Sequence, residues 1–353
     1  MSELRLHLGA FRHNVATLAA IAAPARTMVA VKAEAYGHGM LPVAQAALDA
    51  GADSLAVLEV PAALRLRDAG VRVPLFAWLH GVDTDFAAAI AQHVDLGVSG
   101  RDELQRIVAA AETGVAAVHL KIDTGLHRNG ASAEEWPALV RDALAAQNAG
   151  RVRIAGLWSH LADASVEADA AARAEFERAV ALAGELGVPL DGSDRPLLHL
   201  AASSAGIREP AARFDLVRFG IAAYGVSPFD DVDGAGLGLR GTMTLRAEVL
   251  AVGDGRALLD VGSADGIPPS VLGASGSGAE VLLGAHRVAV RDIEVDTMEV
   301  VASPHTAVGD IALVYGPGDA GEPTVEQWAA WAGTIGDEIL ARASRRVPRV
   351  IDT

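Results

Sequence analysis

What most constrains this chain is an alternation that persists to about residue 232. Short apolar runs, each the length of a buried strand, take turns with longer alanine-rich stretches of helical period. The runs are 28–31, 54–58, 73–78, 94–98, 116–122, 154–159, 197–201 and 216–221. Between them lie helix-like stretches at 41–50, 60–69, 87–92, 102–111, 133–146, 168–186 and 203–212, several closed by glycine or opened by a capping residue such as Ser132. Strand–helix units repeated in this way predict an α/β fold, a (β/α)8 barrel of the TIM type rather than an open doubly wound sheet. No G-x-G-x-x-G follows the first run, and no G-K-[ST] phosphate loop occurs anywhere.

The texture changes after Asp233. Glycine and proline now separate short alternating runs at 243–252, 257–261, 281–283, 286–290, 298–301 and 311–315. These predict a mainly antiparallel β domain, closed by a helix over 325–343 behind Pro323-Thr324. Asp230, Asp231 and Asp233 followed by Gly234, Gly236 and Gly238 have the composition of a linker. Two domains are therefore expected, 1–232 and 233–353.

Composition narrows the function. Half of the 353 residues are hydrophobic, yet charges interrupt every run long enough to approach a bilayer span. The first residues, Met1-Ser2-Glu3-Leu4-Arg5-Leu6-His7, do not read as a secretory signal. A formal charge of −16 argues against nucleic acid and against an anionic membrane surface. The absence of cysteine excludes disulfides, thiolate metal sites and a catalytic thiol. A cytoplasmic protein acting on a small molecule is the expectation.

In a barrel the C-terminal ends of the strands converge on one mouth, where chemistry is built. Reading off those ends collects Lys32, then Trp78 and His80, then Lys121, Asp123, His127 and Arg128. Later strands add Ser159 and His160, His199 and Ser203, and finally Arg218, Gly220 and Ile221. A lysine closing a buried strand is unusual, because desolvation lowers its pKa and makes it a nucleophile towards carbonyls. The loops after the last strands of a barrel are a common phosphate site, and here they carry free N–H groups beside Arg218. An aldehyde at Lys32 and a phosphate at that loop together describe pyridoxal 5′-phosphate (PLP). Blander readings exist for each residue. Lys32 can snorkel, Asp123 can cap its turn, His38 and His127 can orient theirs, and Arg128 can be a surface arginine. His160 and His199 lack the spacing of a metal pair, so no metal site is expected.

Val31-Lys32-Ala33-Glu34-Ala35-Tyr36-Gly37-His38-Gly39 resembles the PLP-lysine motif of the alanine racemases. Leu120-Lys121-Ile122-Asp123-Thr124-Gly125-Leu126-His127-Arg128-Asn129-Gly130 is similar to a second motif of that family. Ser159-His160, His199-Leu200-Ala201-Ala202-Ser203, Val217-Arg218-Phe219-Gly220-Ile221 with Tyr224-Gly225, and Arg346-Val347-Pro348-Arg349-Val350 extend the likeness from about Leu6 to Ile351. The resemblance implies that Lys32 carries PLP as a Schiff base and serves as base on one face of the substrate. It implies that Tyr36, Ser203, Gly220 and Ile221 hold the phosphate. Arg218 would face the pyridine nitrogen, supported by His199, with His160 near the ring. Arg128 would face the substrate carboxylate or the ring oxygen, and Lys121 stands where some members carry a carbamylated lysine. A homodimer with shared sites is implied as well.

The likeness stops on the substrate side. Racemisation needs a proton removed from one face of Cα and one returned to the other, and in the family the second base is a tyrosine of the partner's C-terminal domain. This chain has three tyrosines, Tyr36, Tyr224 and Tyr315, and only the last lies in the C-terminal domain, outside the catalytic motif. The hairpin expected to bear that tyrosine is missing between Val249 and Gly262. Ser263 stands where another active-site tyrosine is expected, Val295 precedes Asp296 in place of methionine, Ala202 replaces an asparagine and Phe219 a proline. Ser263, Asp265 and Asp296 join Lys121 as substrate-side candidates. Three readings stay open: a racemase or epimerase with a replaced second base, single-face PLP chemistry such as decarboxylation, elimination or aldol cleavage, and a PLP-binding protein with little turnover.

Overall fold

The computed structural model describes residues 1–273 and 278–352. The chain opens with strand β1 (Glu3–His7) and a helix, Leu8–Ala22, neither of which the alternation had brought out. Eight strands follow: β2 (Arg26–Ala30), β3 (Ser54–Val57), β4 (Leu75–Ala77), β5 (Val94–Val98), β6 (Ala116–Lys121), β7 (Val152–Trp158), β8 (Leu197–His199) and β9 (Leu216–Phe219). Each falls on one of the apolar runs. Every residue of β3, β4 and β9 is buried, as expected of parallel strands covered on both faces.

All neighbouring pairs in this sheet are parallel, in the order β8-β7-β6-β5-β4-β3-β2-β9. The two ends of that order meet. Asp215 N–H donates to the Leu198 carbonyl at 3.0 Å and Arg218 N–H to the Ala201 carbonyl at 3.1 Å, which closes the barrel. Its interior packs Met28, Ala30, Ala56, Phe76, Trp158 and Leu216, with Trp78 against them. Helices such as Val60–Asp68, Arg101–Ala110, Trp136–Asn148 and Val166–Glu185 alternate with the strands. Ser165 caps the last of these by accepting the Ala168 N–H at 3.1 Å. The third begins later than the sequence suggested, because Ser132 and Glu135 satisfy one another in a turn ahead of it.

The second sheet is built from β1 with β10 (Met243–Gly253), β11 (Arg256–Leu259), β12 (Glu280–Leu283), β13 (His286–Ile293), β14 (Met298–Val301), β15 (Ile311–Tyr315) and β16 (Arg349–Asp352). All its pairings are antiparallel except β1 with β16. β10 returns into β11 through Asp254 and Gly255, both at positive φ (50° and 73°), the tight two-residue turn that suits strand twist. The helix expected over 325–343 is two, Val325–Ala332 and Gly336–Ala341. Gly333, left-handed at φ 65°, ends the first.

By compactness the chain divides into two units. One comprises residues 18–32 and 51–220 and holds the barrel strands; the other comprises 1–17, 33–50 and 221–353 and holds the second sheet. Together these architectures are a TIM-type barrel and a mainly antiparallel β unit, as anticipated. Among the described residues no helix is long and apolar enough to cross a membrane.

Candidate active site

Within the barrel unit, strand ends bring the expected cations together. Val31, just past β2, donates its N–H to the Ala56 carbonyl at 2.8 Å, and Lys32 follows, half-buried. Lys121 ends β6 and is 2% exposed, its ammonium 4.8 Å from the Trp158 ring centroid and hydrogen-bonded to Asn129 Oδ1. Burial, aided by the charges of Arg128 and Arg218, brings its pKa down to about 8. Arg128 is exposed and makes no ion pair among the described residues. Asp123 does cap its turn. Burial opposes its charge, but the N–H groups of Gly125 and His127 and the His127 ring hold its pKa below the usual carboxylate range.

Arg218, on β9, is the centre of the cluster. Its Nη1 donates to His199 Nδ1 at 2.9 Å, and its Nη2 to the Ser159 carbonyl at 2.8 Å, the Leu200 carbonyl at 2.9 Å and His160 Nδ1 at 3.2 Å. Burial without a contacting carboxylate pushes its pKa down to about 9. His160 is lowered well below the ordinary histidine value, first by burial and then by Arg218, Arg128, Lys121 and Lys32. Four cations therefore act on one neutral imidazole. His199 is lowered likewise, by burial and then by Arg218 and His119. Ser203 Oγ accepts the Gly220 N–H at 3.1 Å, so two of the residues expected at the phosphate stand side by side. His80 donates to or accepts from nothing in this cluster; its Nε2 lies 3.0 Å from the Gly97 carbonyl.

Sequence reasoning passed over two residues beneath this cluster. His119 Nδ1 lies 2.8 Å from His199 Nε2, and His119 Nε2 lies 3.4 Å from Asp95 Oδ2. The signal was present as two polar residues inside the otherwise apolar runs of β5 and β6.

The other unit holds the remaining candidates. Ala33, Glu34, Ala35 and Tyr36 all adopt left-handed φ values between 49° and 54°, a costly conformation for residues with a Cβ. His38 braces the turn that follows, its Nδ1 3.0 Å from the Ala35 and Tyr36 carbonyls and its Nε2 2.8 Å from Thr242 Oγ1. Gly37 is obligatory there, since a Cβ would come within 2.4 Å of the Leu340 carbonyl oxygen. Tyr36 packs on Tyr224 with ring centroids 4.6 Å apart. Burial raises the pKa of Tyr36, Tyr224 and Tyr315 alike, and among the described residues Tyr315 Oη reaches only Met243 Sδ, at 3.7 Å. Ile221 starts a short buried turn that runs to Tyr224.

Asp265 and Asp296 gather at Arg346, and Ser263, two residues before Asp265, donates its N–H to the Glu294 carbonyl at 2.9 Å. Asp265 Oδ2 accepts the Gly262 N–H at 3.0 Å and its Oδ1 lies 3.7 Å from Arg346 Nε; Asp296 takes Arg346 Nη2 at 2.7 Å. Asp265 is thus engaged twice, while Ser263 and Asp296 are more open.

Comparison with known proteins agrees with this architecture. The family model for the alanine racemase N-terminal domain matches residues 6–228, and that for the C-terminal domain matches 243–351. An alanine racemase of Salinispora tropica is 40% identical, with 99% of this chain and 98% of that protein covered. That alignment runs over 376 positions, more than this chain's 353 residues, so parts of the relative have no counterpart here. One of Mycolicibacterium smegmatis is 39% identical over 98% of this chain and 93% of its own length. The crystal structure of alanine racemase from D-cycloserine-producing Streptomyces lavendulae superposes with a TM-score of 0.93 at 36% identity, covering 100% of this chain and 97% of that one. Barrel, β unit and both domain models lead to one conclusion: this chain belongs to the alanine racemase family.

Proposed function

We propose that this chain is a PLP-dependent amino-acid racemase or epimerase whose second proton does not come from a tyrosine. The observation that carries the cofactor assignment is the donor set at the barrel mouth. Lys32, Lys121, Arg128 and Arg218 all act on His160, while the nearby Asp123 carboxylate is committed to its own turn. Such a set fits an anionic phosphate and ring oxygen, a lysine amine fits an aldehyde, and a guanidinium rather than a carboxylate fits an unprotonated pyridine nitrogen. Bound PLP would draw electrons from the substrate's Cα and so acidify its proton.

Lys32 would hold the cofactor through Nζ and, once released by substrate, take the Cα proton on one face. Tyr36, Ser203, Gly220 and Ile221 would bind phosphate, and Arg218, braced by His199, would donate to the pyridine nitrogen. Arg128, free of any carboxylate, would hold the substrate's carboxylate, and Lys121 would support that side. The second proton needs another carrier, because all three tyrosines are buried. His160 accepts from Arg218 at Nδ1, so its neutral ring carries hydrogen at Nε2 and is a donor, not a base. A water held on that Nε2–H would deliver the proton, and solvent at the mouth would return one to the hydroxide left behind. Residues 1–232 would supply this machinery and 233–353, with Ser263, Asp265 and Asp296, would complete the partner's site in a cytoplasmic homodimer.

The buried tyrosines also favour a second reading, single-face chemistry such as decarboxylation, elimination or aldol cleavage. One experiment separates them. PLP-loaded wild type and Lys32→Ala are incubated with L- and D-amino acids in deuterium oxide and followed by NMR and chiral chromatography. Deuterium at Cα together with the opposite enantiomer supports the racemase. Exchange with retained configuration, or loss of carbon dioxide, means single-face chemistry, and a Lys32-dependent absorbance without any exchange means a binding protein. Lys32→Ala should lower exchange by about 10²–10⁴-fold.

A further inference from the structure

The polar residues of the barrel interior form one chain, and its direction follows from a single fact. Arginine has hydrogen-bond donors and no acceptor. Arg218 Nη1 lies 2.9 Å from His199 Nδ1, so that nitrogen must accept and His199 is neutral with its hydrogen on Nε2. His199 Nε2 lies 2.8 Å from His119 Nδ1, which must then accept in turn. The hydrogen of His119 is left on Nε2, and it faces Asp95 Oδ2 at 3.4 Å. Every link points away from the mouth, from Arg218 through two imidazoles to a carboxylate.

The surroundings are built for this chain. Trp158 stacks on His199 with centroids 5.6 Å apart and planes 7° from parallel, and Phe76 meets both histidines, at 4.8 Å from His119 and 5.6 Å from His199. His119 and His199 are 1% and 0% exposed. Gly156 on β7 makes the room: a Cβ there would come within 2.1 Å of His119 Nδ1, the accepting atom. Asp95, near the start of β5, retains partial exposure, with a side chain 23% accessible. The buried guanidinium touches no carboxylate among the described residues, so this relay is its connection to a counter-charge.

We infer that Asp95 and His119 are positioning residues: through His199 they hold Arg218 as an oriented donor in the barrel mouth. This role rests on the cofactor reading above, whereas the direction of the chain does not. Outer partners of this kind fix the tautomer and orientation of the residue that touches the cofactor.

The test uses PLP-loaded protein labelled with 15N at histidine. Both rings should carry hydrogen only on Nε2, with a scalar coupling across the hydrogen bond from His199 Nε2 to His119 Nδ1. A hydrogen on Nδ1 of either ring, or a doubly protonated ring, would overturn the chain. Its role is read from cofactor retention, followed by absorbance on dilution. His119→Leu, which removes the acceptor, should speed PLP loss by about tenfold, and His119→Gln, whose carbonyl can accept, should recover it to within about twofold. Asp95→Asn, which keeps an acceptor but removes the charge, should fall between them. Equal loss in the Leu and Gln variants would sink the positioning role. A protein with no Lys32-dependent absorbance would instead fail the cofactor reading, and the NMR result would stand apart from it.

Discussion

The barrel mouth and the Arg346 neighbourhood of the β unit treat charge in opposite ways. In the barrel, Arg218 and Lys121 are buried, their pKa values are depressed, and their partners are neutral carbonyls, imidazoles and an amide. Around Arg346 the charges are paired with opposite charges, Asp265 and Asp296, and Arg346 itself lies in solvent. Desolvated cations without acids are costly and are kept where an anion is to be bound; exposed pairs cost little and contribute little. The lesson is that the barrel mouth keeps a demanding arrangement of desolvated cations, while the Arg346 neighbourhood is built from an undemanding one.

Four variants break or sharpen that contrast. The largest effect is expected for Arg218→Leu, which strands His199 Nδ1 and the Ser159 and Leu200 carbonyls in a dry interior. A loss of about 3 kcal/mol or more is expected in urea unfolding, because each unsatisfied buried group costs about 1–3 kcal/mol. Lys121 comes next. Its folded pKa, about 8, lies below the ordinary 10.5, so between those values the unfolded chain binds a proton that the folded chain does not. Stability should therefore rise with pH across that window, by at most about 1.4 kcal/mol per unit, and be flat below it. In Lys121→Met the rise between about 8 and 9 should vanish, leaving above it only what Arg218, lowered to about 9, contributes; an unchanged rise below 9 would show that another group titrates.

A smaller change is expected on the other side. Asp265→Ala removes the acceptor for the Gly262 N–H, a capping loss of about 1 kcal/mol, and should leave the bound-cofactor absorbance as it was. A lost absorbance would erase the distinction between the two regions. Tyr315→Phe should do least. Among the described residues its hydroxyl meets only the Met243 sulfur, so unfolding should shift by about 0.5 kcal/mol or less and isotope exchange by less than about twofold. A collapse of exchange in this variant would identify Tyr315 as the second base and overturn the proposed chemistry.

Much of this was legible in the residue order. Strands buried on both faces are continuous apolar runs, so all eight barrel strands stood out, and with them the positions of Lys32, Lys121, His199 and Arg218 at or near strand ends. The short connection between Val249 and Gly262 was equally plain, and in the structure it holds the two-residue turn at Asp254-Gly255. Less was visible where partners are distant. β1 and β16 are short and lie at opposite ends of the chain, and their parallel pairing, Leu4 with Arg349, leaves no local trace. Ala33, Glu34 and Ala35 are good formers of right-handed helix by composition, so their left-handed turn was invisible to propensity.

By itself, then, the order of residues determined the number of strand–helix units, the charges their ends deliver, and the presence of only three tyrosines. Those are properties of spacing and count. Tertiary closure decided that Asp95, His119, His199 and Arg218, drawn from four separate strands, become one directed chain. It also decided that each tyrosine is buried. Both outcomes depend on which side chains point inward together and on how much water they lose, and neither is a property of neighbours in sequence.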